Sequence, residues 1–208
     1  MLIPISKLHS NFKLNINGIL HIGAHDCEER KDYNDFGISN DNIFWVEAMK
    51  DKVDIMKNKY NDIHIFNAII DIENDKEVKF NVTNNGASSS ILEFGTHART
   101  YPDIKMIESF TGTTTRLDTL IENNNIPIEN INFLNLDIQG VELRAIKSME
   151  KYLKHIKYIY TEVNIQEVYK GCDLMKDIDE YLSKFGFMRV ANDIITRFGW
   201  GDAFYIKK

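Results

Sequence analysis

Cysteine is scarce in this chain: 208 residues carry only two, Cys27 and Cys172. A small secreted protein stapled by disulfides needs a denser, even set, so both thiols are expected to be reduced, in a cytoplasmic setting. Basic charge is in deficit as well. Twenty-five Lys and Arg against 31 Asp and Glu give a net charge of -6, which argues against a generic polyanion surface and against a nucleic-acid partner. No apolar run approaches the roughly 18 residues of a membrane span, so no membrane partner is expected. The stretch from Met1 to Asn17 includes Lys7 and Lys13 but no apolar segment of signal-peptide length. Internal repeats and interdomain linkers are also lacking.

What is present suffices for a substantial core. The apolar share is 43% and the charged share an ordinary 27%, a balance typical of folded domains. The length predicts one domain across residues 1–208.

The most informative stretch runs from Gly18 to Glu29. Ile19 to Ile22 reads as a buried strand, Gly23 as a tight turn, and Asp26 with Glu29 as a capping box opening a helix to about Phe36. In α/β proteins such a strand–turn–helix junction lies against a nucleotide-like cofactor. A second strand, Ile43 to Val46, ends in Glu47, and a helix follows over about Lys50 to Tyr60. A third strand covers Ile63 to Ile70. This β-α-β-α-β order predicts a parallel sheet with helices on both faces. Glu77 to Thr83 alternates as a half-buried strand. Residues 84–115 then read as a long polar insertion over the active face, with Ile104 to Phe110 either helical or extended. Further elements are a short helix over Leu117 to Ile121, a strand over Asn132 to Asp137 and a helix over about Val141 to Leu153. A strand from Ile156 to Val163 and a helix from Leu174 to Phe185 follow. Phe187 to Ala191 and Asp202 to Ile206 form a closing antiparallel hairpin.

Carboxylates cluster at strand ends: Glu47, Asp137 and Glu162. Ligands of open α/β sheets bind outside the carboxyl ends of the strands, and an acid about 20 residues past the glycine turn is placed for ribose hydroxyls. Glu47 has that position. Gly23 is not followed by the further glycines of a dinucleotide fingerprint, which excludes a nicotinamide oxidoreductase. Glu28 and Glu29 would also repel a pyrophosphate. A donor with an adenosine and a cationic, amino-acid-like tail suits the loop better, and S-adenosylmethionine has that chemistry.

These residues stand within an ordered set of motifs. Ile-Leu-His-Ile-Gly-Ala-His lies at 19–25, Phe-Trp-Val-Glu-Ala at 44–48, Asn-Ala-Ile at 67–69 and Ser-Ser-Ser-Ile-Leu at 88–92. Arg-Leu-Asp lies at 116–118, Leu-Asp-Ile-Gln-Gly-Val-Glu-Leu at 136–143, Tyr-Thr-Glu-Val at 160–163 and Gly-Trp-Gly-Asp-Ala at 199–203. In this order, from about 18 to 206, the chain resembles FkbM-type methyltransferases. The resemblance implies a class I methyltransferase (Rossmann-like) α/β fold, with a mostly parallel seven-stranded sheet, an antiparallel last strand and helices on both faces. It implies S-adenosyl-L-methionine as cofactor and O-methylation of a hydroxyl on a small-molecule or glycan acceptor. By position, His21, Gly23 and His25 would border the methionine part of the donor and Glu47 its ribose. Asn67 and Ala68 would border the adenine, and Asp137 the sulfonium. His21 stands where many members have Asp, and Asn135 where many have Lys.

A hydroxyl acceptor gains from a general base. Asp137 and Glu162 are the candidates, with Glu142 third and His97 in the long insertion another. Ser88, Ser89 and Ser90 read as a polar wall of the acceptor pocket, since no nucleophile elbow surrounds them. Asp137, Glu142 and Glu162 offer hard oxygen ligands for Mg²⁺, against the alternative that Glu142 merely opens a helix near its positive end. His21, His25 and Cys27 do not make a zinc site, because His21 lies in a buried strand and no second cluster of recognised spacing follows, and no metal is expected. The alternative to an enzyme is a catalytically silent methyltransferase-like module, which would lack a base on the active face.

Overall fold

The structure, a computed structural model, describes residues 1–208. A lead-in helix α1 (Ile5–Phe12) is followed by β1 (Ile19–Ile22), α2 (Arg30–Asp35), β2 (Ile43–Glu47), α3 (Lys50–Lys59) and β3 (His64–Asn67). Next come β4 (Ile69–Ile70), β5 (Glu77–Thr83), the one-turn α4 (His97–Thr100) and β6 (Met106–Thr115). The chain closes with α5 (Leu117–Asn123), β7 (Phe133–Leu136), α6 (Glu142–Ser148), β8 (Tyr158–Asn164), α7 (Met175–Ser183), β9 (Phe187–Ile195) and β10 (Trp200–Lys207).

Seven strands form the main sheet in the order β3-β2-β1-β7-β8-β10-β9. β10, last in the chain, is antiparallel to both β8 and β9, between which it lies, and β3-β2-β1-β7-β8 pair in parallel. Every residue of β1, β2, β7 and β8 is buried, as expected of central strands covered on both faces. Period-two alternation divides them between two cores. Leu20, Ile22, Leu134 and Leu136 meet Leu117, Ile146 and Ile178 of α5, α6 and α7. Ile19, Trp45 and Phe133 meet Leu8, Tyr33 and Val53 of α1, α2 and α3. No helix is long and apolar enough to cross a membrane.

Four expectations change in the structure. The strand expected over Ile63 to Ile70 divides at Ala68: β3 stays in the main sheet, whereas β4 pairs with β6 in a small sheet ordered β4-β6-β5. Residues 84–115, read as a polar insertion with Ile104 to Phe110 helical or extended, end in the ten-residue strand β6, which pairs antiparallel with β5 along its length and so takes the extended alternative further than expected. Period-two patterning is weak in β6 because most of its residues are exposed. The capping box does not form. Left-handed backbone at His25 (φ 44°) and Cys27 (φ 53°) delays α2 to Arg30, and Asp26 pairs with Lys52 instead (2.7 and 2.8 Å). Finally, the helix expected over Val141 to Leu153 is α6 followed by a separate 3₁₀ turn at Glu150–Tyr152.

Candidate active site

The turns after β1, β2, β7 and β8 converge at the carboxyl edge of the sheet. Gly23 (φ +89°) is required there twice over. Its backbone is left-handed, and a Cβ would lie 1.8 Å from the Asp137 carbonyl oxygen, so only glycine lets the β1 and β7 turns touch. Residues 24–29 form turns before α2 begins, so no helix N-terminus faces the junction, contrary to the reading of a helix start at Asp26.

Glu47 organises this side. It is 5% exposed, and its carboxylate accepts hydrogen bonds from the backbone N–H of His25 (2.7 Å) and of Met49 (2.8 Å). Each oxygen keeps a lone pair for a further donor. Burial raises the carboxyl above its usual range against the pull of these N–H groups. The Glu47 turn opens on a cavity of about 310 Å³, lined by apolar Ala68, Ile69 and Ile138 and by acidic Glu28, Glu29 and Glu47. His21, Gly23 and His25 line it too; Lys and Arg do not. The His25 Nδ1 pairs with Glu28 at 2.7 Å, which raises the imidazole pKa and, with the other hydrogen bonds to Glu28, holds that acid at about 2 despite its burial.

His21 is buried beneath this cavity, its ring stacked on Trp45 (4.7 Å between centroids), and burial lowers its pKa to about 4, so it is neutral. Its Nδ1 lies 3.1 Å from the Tyr33 hydroxyl, which accepts from Asn135 Nδ2 at 2.7 Å. The two positions that depart from the resembled pattern, His21 and Asn135, are therefore register neighbours on β1 and β7 joined through one tyrosine.

A second cavity, of about 350 Å³, lies beside the first; Ala87, Asp137 and Gln139 line both. Gln139 Nε2 donates to Asp137 Oδ1 (2.6 Å) and Glu162 Oε2 (2.8 Å), and its Oε1 accepts from the Tyr169 hydroxyl. Asp137 is open to the cavities but enclosed by protein on its other sides, and that enclosure with the charge of Asp202 pushes its carboxyl up to about 6. Glu162 is 6% exposed and rises well above the usual range through burial and the charges of Asp137 and Glu142. His97 lines the second cavity with Ser88, and burial lowers its pKa, so it too is neutral.

Several candidate residues lie elsewhere. Glu142 lines neither cavity: fully buried, it accepts from the backbone N–H of Ile138 (3.1 Å) and Gly140 (3.0 Å), clamping the turn after β7, and burial lifts its carboxyl to about 8. Asn67, adjacent to Ala68, turns its amide back onto the carbonyls of Glu47 and Ala48. Ser89 lines the first cavity, whereas Ser90 lines neither and bonds the Gln139 carbonyl at 2.9 Å. Sequence reasoning passed over Gln139, Asp202, Tyr169, Tyr101 and Trp200. The first, second and last lay within the quoted motifs, and their polar or aromatic character was the available signal.

The sequence pattern of the Methyltransferase FkbM domain matches residues 21–188. The chain belongs to this methyltransferase family. Against curated proteins no match is found. Among solved structures, the FkbM chain is similar to the magnesium protoporphyrin IX methyltransferase of Synechocystis PCC 6803, which was solved with bound SAM. The likeness has a TM-score of 0.50 at 9% identity and covers 98% of this chain and 76% of that one. It is also similar to a protein of the NADB-Rossmann superfamily from Streptococcus agalactiae, with a TM-score of 0.50 at 13% identity over 97% of this chain and 66% of that one. Both likenesses bear on the fold, which is that of class I methyltransferases. The FkbM domain is a methyltransferase whose cofactor is S-adenosylmethionine. The lining of the first cavity fits that donor: a buried acid at the end of β2, apolar residues that suit a purine, and acids without Lys or Arg that suit a cationic tail.

Proposed function

We propose that this methyltransferase acts on a hydroxyl of a small molecule or glycan, with Asp137 as the base. The observation that carries the reading is the meeting of two cavities at Asp137 and Gln139. One cavity suits the donor, and the other leaves room for an acceptor of small-molecule size. When bound, S-adenosylmethionine supplies a methyl carbon on a sulfonium, open to in-line displacement. The chain's contribution is alignment and proton removal. Glu47 and the Gly23 turn position the donor, and the second cavity orients the acceptor oxygen toward the shared boundary. Holding the reactants in line contributes several kcal/mol.

Gln139 fixes Asp137 by one oxygen, leaving the other for the acceptor hydroxyl. With a carboxyl near 6, Asp137 is ionised at neutral pH and takes the hydroxyl proton as the oxygen–carbon bond forms. Glu162, bridged to Asp137 through Gln139, faces the same cavity and accepts a hydrogen bond from the acceptor.

The test uses labelled donor and a panel of hydroxyl-bearing small molecules and glycans. Asp137→Asn is expected to lower turnover by about a hundredfold or more while leaving S-adenosylhomocysteine affinity within about threefold. The rising limb of the wild-type pH profile near 6 should vanish in the variant. Unchanged turnover removes Asp137 from the mechanism.

A further inference from the structure

We propose that the second cavity selects an acceptor that carries a protonated amine beside its reacting hydroxyl, with Asp202 and Glu162 as counter-charges. The inference rests on the second cavity being the acceptor site. Its first support is the register of the sheet. Asp202 of β10 pairs directly with Glu162 of β8, and each is 6% exposed. Directly opposed residues of an antiparallel pair put their side chains on the same face, where like charges destabilise the sheet. Asp137 adds a third carboxyl to the cavity, and none of the three forms a salt bridge with Lys, Arg or His; the Met1 ammonium, which lines the same cavity, pairs with Glu29 at 3.1 Å, and Asp202 accepts from the Tyr160 hydroxyl and the Leu2 N–H (2.6 Å). No Lys or Arg lines the cavity. One ammonium against the carboxyls of Glu29, Asp137, Glu162 and Asp202 leaves the cavity short of positive charge, which a cationic ligand would supply.

The second support is independent of the acids. His97 also lines the cavity, is 4% exposed, and has a ring nitrogen, Nδ1, with no hydrogen-bond partner. Buried polar atoms are nearly always paired, so an orphan of this kind at a cavity marks a ligand position. Around it stand aromatic rings. His97 packs between Phe94 (4.1 Å) and Tyr101 (5.1 Å), and Trp200 Nε1 donates to the Tyr101 hydroxyl at 3.0 Å. Aromatic faces attract organic cations, and carboxylates at the other side complete the recognition of an ammonium group.

Two other ligand classes fit less well. A phosphorylated or carboxylated acceptor would meet three acids and no basic side chain. A bare metal ion is also disfavoured. Asp137, Glu162 and Asp202 do not bring oxygens within 4.8 Å of one another; the one cluster that does meet that spacing, His25, Asp26 and Glu28, lies at the other cavity with Lys52 already on Asp26. An organic cation, larger and softer, bridges the wider gap.

The chain has two tryptophans, one near each cavity, which makes the test direct. Trp45 stacks on His21 at the donor cavity and Trp200 lines the second. Indole NMR signals are followed as the full chain is saturated with S-adenosylhomocysteine and then titrated with glucosamine, glucose or glucose 6-phosphate. The expected result is a shift of the Trp45 signal on the first addition. Glucosamine then shifts Trp200 at concentrations at least about tenfold lower than glucose does, and glucose 6-phosphate has no effect. Asp202→Asn and Glu162→Gln should each abolish the preference for the amine. Equal or better response to the neutral or phosphorylated sugar overturns the proposal, as does no response of Trp200 to glucosamine when Trp45 has shifted. Failure of Trp45 to shift would instead overturn the donor site. A Trp200 response without methyl transfer in the labelled assay would sink the proposed reaction and leave the amine preference standing.

Discussion

Replacing Glu142 by Gln should make the protein more stable at high pH. Glu142 is fully buried, and its carboxyl titrates at about 8 in the fold against an ordinary value of 4.5. Below 4.5 the group is protonated whether the chain is folded or not. Between 4.5 and 8 the unfolded chain ionises while the fold holds the proton, so the folded state loses stability steadily as pH rises. Above 8 the penalty is complete. At 1.36 kcal/mol per pH unit, the interval amounts to on the order of 5 kcal/mol. Glutamine escapes this titration and keeps the clamp, because a single carbonyl oxygen can accept from both Ile138 N–H and Gly140 N–H, as Glu142 Oε1 does. Urea unfolding of both proteins, followed by circular dichroism from pH 5 to 9, reads the difference. Wild type should fall behind the variant by several kcal/mol between pH 5 and 8, with the gap constant beyond. Parallel curves across that range would refute the reasoning and show that Glu142 is ionised in the fold throughout.

Glu47→Ala should weaken S-adenosylhomocysteine binding by about tenfold or more in calorimetry, since it removes both the proposed ribose acceptor and the carboxylate that fixes the His25 and Met49 turns; unchanged affinity would remove Glu47 from the donor site. Gly23→Ala places a methyl group on the Asp137 carbonyl oxygen and should lower stability by about 3 kcal/mol or more, measurable by denaturation; a stable variant would contradict the packing of the two turns. Arg116→Ala should cost about 2–3 kcal/mol without altering donor affinity, because Arg116 ties Asp118 to the carbonyls of Ile72 and Ser148 far from both cavities; a selective loss of binding would reassign it.

Much of the first cavity's wall was legible because strand-end acids and turn glycines are fixed by local rules. Gly23 and Glu47 follow from a buried strand, a turn and a spacing, and the structure puts both at one cavity. The quoted motifs behaved unequally. Arg-Leu-Asp proves to be a structural tie, whereas Gly-Trp-Gly-Asp-Ala carries Trp200 and Asp202 to the second cavity. Glu142 read as a third candidate base because spacing shows proximity but not direction, and its side chain turns inward onto the backbone. The second cavity was harder to read. Tyr101, Tyr169 and Trp200 come from distant segments, and an aromatic residue looks the same in a sequence whether it fills a core or lines a site. The extent of β6 was hidden for a related reason: its pairing comes from β5, not from its own apolar pattern.

The break at Ala68 has a consequence for how such a protein changes over time. Asn67 ends one sheet and Ile69 begins another, and the small sheet rests on its own apolar cluster of Met49, Ile69 and Phe80, apart from the two large cores. Residues 77–110 contribute nothing to the two large cores, while their Ser88 and His97 line the second cavity with Asp137. The segment works as an exchangeable faceplate: replaced as a block between Ile70 and Thr115, it would change what both cavities admit, because Phe80, Gly86, Ala87, Ser89 and Ile91 line the first as Ser88 and His97 line the second.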